Sequence, residues 1–138
     1  LPRQSVGMAR TRILFACLAL AAPIVPATAH AAPLTAPLLP ASGLVLSVQP
    51  EMGTHSTTQL NCEPAGGLHK NAAQACDQLT PVEGDFRKLE ETGAMCTMEL
   101  NPTKATLSGK WRTKKINFQQ VFSNPCVLRA YTGKVFDF

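Results

Sequence analysis

The chain has 138 residues, 45% of them hydrophobic and 16% charged, with 13 Lys and Arg against 9 Asp and Glu and a formal charge of +4. That length provides for one domain with a modest core. Arg3, Arg10 and Arg12 all fall within the first 31 residues; beyond them 10 basic residues face 9 acidic ones, a balance of +1 that removes the case for a nucleic-acid partner.

Arg10 and Arg12 precede the apolar run Ile13 to Ala22, and the small residues of "ATAHAA" follow. This is the pattern of a secretory signal peptide, cleaved after Ala29 or Ala31, and it predicts a secreted, extracellular product. The apolar run is too short for a membrane span, so no membrane association is expected. Met8 reads as the natural start, with Leu1 to Gly7 as an upstream extension. Residues 1–31 are therefore set aside, residues 32–42 form a proline- and alanine-rich flexible arm, and residues 43–138 are the domain.

From Gly43, "GLVLSVQ" alternates Leu44, Leu46 and Val48 with other residues and predicts a strand; "TTQLNC" predicts its antiparallel neighbour. The alanine and glutamine content of "KNAAQACDQL" predicts a helix stopped by Pro81. "VEGDFRKLEE" predicts a second short helix capped by Asp85, with Phe86 and Leu89 on one face. "TKATLSGKWRTKKINFQQVFS" is β-like, with a turn signal at Ser108-Gly109, and "VLRAYTGKVFDF" reads as two short strands about Thr132-Gly133. The sum is an α+β domain, an antiparallel sheet with two helices. "KWRTKK" resembles a base-stacking patch around Trp111, but it fits better the solvated face of a hairpin with Trp111 turned to the core.

Four cysteines, Cys62, Cys76, Cys96 and Cys126, remain after the leader. In a secreted chain they predict two disulfides, with three pairings open. A metal site at Cys62, His69 and Cys76 is disfavoured because paired C-x-x-C units are lacking. No phosphate loop, nucleophile elbow or zinc-protease motif occurs, so neither a cofactor nor catalysis is expected; His69 in "AGGLHK" reads as a loop histidine with its hydrogen bonds satisfied. A small hydrolase using His55 or His69 and a binding module gripping a polymer through the Trp111 hairpin are the competing readings.

Neither accounts for "GAMCTMELNP", residues 93–102. A segment tied down by Cys96 and stiffened by Pro102 would present Met98 outward as an apolar anchor, as a substrate is presented to a protease cleft. Here the chain resembles the Streptomyces subtilisin inhibitor family over Leu44 to Phe138. "CEPAGGLHKNAAQACDQL" carries the family pattern at Cys62, Pro64, Gly67, His69, Ala75, Cys76 and Leu79, with Lys70 where proline is usual. "MCTMELNP", "VFSNPC" and "VFDF" match three further blocks.

The resemblance implies a five-stranded antiparallel sheet with two short helices, bridges Cys62–Cys76 and Cys96–Cys126, and a homodimer through sheet faces. It implies a reactive bond Met98–Glu99, with Cys96, Thr97, Leu100 and Asn101 in the protease-binding loop. Asn124 and Pro102 are expected to support that loop. The implied partner is a subtilisin-like serine protease, with chymotrypsin-like enzymes and metalloproteases as further classes. Thr97 and Glu99 depart from the usual proline and small apolar residue, which points to the weaker end of inhibition.

Overall fold

The computed structural model describes residues 38–138. The expected signal peptide and most of the expected arm lie outside the described residues. Five strands, β1 (Ser42–Pro50), β2 (Ser56–Cys62), β3 (Gly66–Gly67), β4 (Thr103–Trp111) and β5 (Lys114–Phe122), form one antiparallel sheet in the order β3-β2-β1-β4-β5. Two helices, α1 (Ala72–Leu79) and α2 (Pro125–Thr132), complete the α+β domain.

The strands form because alternate side chains share one buried face. In β1, Leu44 and Leu46 are buried while Val45 is 44% exposed. Pairing of Leu46 with Thr58 on one side and Leu107 on the other continues the buried row across the sheet. The core is Leu44, Leu46, Leu60, Leu107, Trp111, Ile116 and Phe122 from the sheet, packed with Ala75, Cys76 and Leu79 of α1, Leu128 of α2, and Phe86, Val135 and Phe136. Each fully buried leucine contributes about 2 kcal/mol relative to an exposed one. Cys62–Cys76 fastens α1 to β2, and Cys96–Cys126 fastens the long segment before β4 to α2. Both are the pairs that the family resemblance implied.

Three local expectations are corrected. Ser108-Gly109 is not a turn but lies inside β4, opposite Val45 and Leu44. Gly109 has φ +140°, and a Cβ there would strike the backbone carbonyl of Gly43, so this glycine permits close strand approach. The hairpin turns instead at Arg112-Thr113, with Arg112 at φ +52°. "VEGDFRKLEE" yields only a 3₁₀ turn at Phe86–Lys88; Asp85 does cap it, accepting from Arg87 N at 3.2 Å, but Leu89 turns extended. The two strands expected near the C-terminus are helix α2 and a coil. Asn124 caps α2, Pro125 occupies its first turn, and Gly133 closes it with φ +55°.

The "AGGLHK" segment holds the chain end in place. His69 is buried, with Nε2 2.9 Å from Val135 O, while its Nδ1 accepts from Asn71 N at 3.0 Å. Lys70, where the family pattern has proline, instead forms an ion pair with Asp137 at 3.3 Å. Trp111 is 2% exposed, as expected for the core face of the hairpin, although its indole N–H has no hydrogen-bond partner.

Candidate functional site

Between the 3₁₀ turn and β4 the chain runs from Leu89 to Pro102 without helix or strand. Such a segment must place its backbone polar groups on water or on neighbouring elements. At its start Thr92 N donates to Ala130 O of α2 at 2.7 Å, and at its end Asn101 N donates to Ser123 O at 2.9 Å. Pro102 O accepts from Glu51 N at 2.9 Å. Proline also disfavours the helical region for Asn101, the residue before it.

Between these anchors the loop projects outward. Met95 is 97% exposed, Met98 100% and Leu100 72%. Thr97 and Glu99 are exposed as well, and Cys96 is half-buried at the disulfide. Met95, Met98 and Leu100 thus leave an apolar stretch of the loop facing solvent, without the packing a methionine finds in a core.

Asn124 is 3% exposed and sits directly beneath Met98. Its Nδ2 donates to Glu99 O at 2.8 Å and to Thr97 O at 3.3 Å, the carbonyls on either side of Met98. Its Oδ1 accepts from Val127 N at 2.9 Å and caps α2. Asn124, expected to support the loop, also serves its own turn at the start of α2, and one amide makes both sets of bonds. Two residues on, Cys126 is bonded to Cys96, so α2 holds the segment before Met98 covalently and its flanking carbonyls by hydrogen bonds.

Asn101, expected among the contact residues, is 7% exposed. Its side chain clasps the β1–β2 connection: Nδ2 donates to Met52 O at 2.9 Å and Oδ1 accepts from Met52 N at 2.9 Å. Its own carbonyl accepts from Thr103 Oγ1 at 2.8 Å. The participation of Met52, Ser123 and Ala130 was missed in the sequence because each acts through its backbone. The structure thus brings Cys96, Thr97, Glu99, Asn101, Asn124 and Cys126 into one support beneath Met98. His55 and His69 contribute nothing to it.

Among the described residues no group of three or more His, Cys, Asp or Glu could hold a metal ion, no ligand-sized pocket opens, and no helix is long and apolar enough to cross a membrane. What this arrangement offers chemically is an exposed peptide segment with a fixed backbone. Asp85, which caps the 3₁₀ turn before the loop, is held below the usual carboxylate range by its hydrogen bonds from Arg87, at 2.8 and 2.9 Å.

A family model described as subtilisin inhibitor-like matches residues 40–124. Protease inhibitor SIL-V5 of Streptomyces luteoverticillatus is 43% identical over 72 residues, covering 51% of this chain and 67% of that protein. A transglutaminase-activating metalloprotease inhibitor of Streptomyces mobaraensis is 38% identical over 72 residues, covering 51% of this chain and 49% of that protein. The chain thus spans roughly half to two thirds of these relatives' lengths. Among solved structures, sermetstatin of Streptomyces caespitosus in complex with subtilisin of Bacillus licheniformis aligns with a TM-score of 0.58 and 27% identity, over 70% of this chain and 98% of that one.

Proposed function

The chain belongs to the subtilisin inhibitor-like family, and from that premise we propose that it is a secreted inhibitor of subtilisin-like serine proteases that presents Met98–Glu99 as a substrate-like bond. The observation that carries this reading is the fully exposed Met98 between two carbonyls held by one buried amide. Met98 enters the apolar specificity pocket. The extended segment from Cys96 to Leu100 lies along the cleft as a peptide substrate would.

Inhibition follows from rigidity. A free peptide loses conformational entropy on binding, whereas this loop has lost it already in folding. When the protease serine attacks Met98 C=O, the Met98–Glu99 bond breaks, an acyl-enzyme forms and the Glu99 amine is freed. Asn124, through Glu99 O, and Asn101 keep that amine close. Reattack on the acyl-enzyme then outruns hydrolysis because the amine's effective concentration is high. No catalysis by the chain itself is assigned. Chymotrypsin-like pockets accept methionine too, and the metalloprotease inhibitor among the relatives supports a metalloprotease as a further partner class.

Secretion is supported by the leader pattern and by the two disulfides. A homodimer would use the outer sheet face, where Val45 is exposed among Ser47, Thr106 and Asn117; analytical ultracentrifugation measures it.

The deciding experiment titrates the purified protein into subtilisin, follows residual activity and maps any nick by mass spectrometry. Stoichiometric loss of activity with a slow nick between Met98 and Glu99 is expected. Full residual activity with an intact loop would refute the reading and favour the binding module.

A further inference from the structure

Cleavage of Met98–Glu99 would leave two loop halves with unequal anchorage. The half before the cut is covalently tied at Cys96, two residues before Met98. The loop half after the cut, Glu99 to Pro102, bears the new amine and carries no cysteine of its own, the partner Cys126 lying further along the chain in α2. It is held where Asn101, two residues after Glu99, bonds both backbone groups of Met52. Because one bond runs from Met52 N to Asn101 Oδ1 and the other from Asn101 Nδ2 back to Met52 O, the pair fixes direction as well as position.

We infer that Asn101 is a positioning residue rather than a protease contact, and that its clasp on the Met52 backbone is the non-covalent counterpart of the Cys96–Cys126 bridge, returning the cut chain to the acyl-enzyme. The inference rests on the reading of Met98–Glu99 as the reactive bond. Its physical content is that Asn101 governs the equilibrium between nicked and intact inhibitor. The burial of Asn101 at 7% exposure and its use of both amide ends leave little of it for an enzyme to touch. The Asn101 N to Ser123 O bond belongs to the backbone and survives substitution, so the side chain's share can be isolated.

The test uses the full chain and its Asn101→Ala, Asn101→Asp and Met52→Ala variants. Each is incubated with catalytic subtilisin until the ratio of nicked to intact inhibitor is constant, and thermal unfolding is recorded alongside. Loss of two hydrogen bonds in Asn101→Ala raises that ratio on the order of tenfold. Asn101→Asp raises it too, since a carboxylate accepts from Met52 N but has no hydrogen for Met52 O. Met52→Ala leaves it unchanged, because only the Met52 backbone is clasped.

An unchanged ratio in Asn101→Ala overturns the inference. So does a rise in Met52→Ala equal to that of Asn101→Ala, which would assign the effect to the Met52 side chain. Should Asn101→Ala fail to fold, a wild-type ratio in Asn101→Asp is the overturning result. If the unsubstituted protein neither inhibits subtilisin nor is nicked at Met98–Glu99, the proposed function falls first; inhibition with an unmoved ratio removes only the clasp.

Discussion

Asn124→Asp separates the two tasks of one amide. Aspartate keeps an oxygen for Val127 N and is as good a helix cap as asparagine, with its charge favoured at the start of α2. It has no hydrogen for Thr97 O or Glu99 O, and sets a negative charge against both. The loop therefore loses the bonds at 2.8 and 3.3 Å while the 2.9 Å cap remains. At about 1 kcal/mol per bond the loss is about 2 kcal/mol, or ~30-fold in affinity. Asn124→Ala loses the cap as well, a further ~1 kcal/mol that lowers the unfolding midpoint by about 4–8 °C in a domain of this size. Inhibition constants and nicking rates against subtilisin, with calorimetric unfolding of the same samples, read the two tasks independently. An Asn124→Asp protein that inhibited as tightly and resisted nicking as well as the unsubstituted one would refute the assignment of the loop bonds.

Met98→Lys should gain trypsin inhibition by at least ~100-fold, since a cation then enters a pocket that demands one; the inhibition constant against trypsin measures it. Replacing Cys96 and Cys126 together with serine removes a closure across 30 residues of sequence separation, costs about 3–4 kcal/mol of stability, and converts the inhibitor into a substrate that subtilisin degrades on prolonged incubation. Asp85, with its carboxyl lowered chiefly by the Arg87 hydrogen bond, contributes stability that is present above the unfolded carboxylate value near 4 and is lost as pH falls through the lower folded value. Asp85→Asn should flatten the acid limb of a denaturant-midpoint profile.

The sequence was legible where one side chain pattern had one structural use. Leu44 and Leu46 could face only a core, and "AAQACDQL" had no better state than helix. It misled where a residue type has two uses. Gly109 signalled a turn but serves a close strand crossing, and Gly133 signalled a hairpin but ends α2. The start of α2 was written in Asn124-Pro125, a cap followed by proline, yet the β-favouring Val127, Tyr131 and Phe136 outweighed it in a local reading. Strand β3 has only Gly66 and Gly67, without side chains to announce it. At the site, Met98 and the cysteines stood out by type. The clasp on Met52 did not, because backbone groups 49 residues away leave no mark in the sequence.

Because Met98 is 100% exposed and Asn124 is 3% exposed, the residue that would select the enzyme is almost decoupled from the fold, while the residue beneath it is coupled to a helix and two loop carbonyls. Selection can therefore change position 98 freely as a target protease diverges, at little risk to folding. Position 124 has no such latitude, since a change there reaches the loop carbonyls and, unless it keeps an oxygen for Val127 N, the scaffold as well. A lineage under pressure from new proteases would then vary most at the one point of the loop that its own structure does not touch.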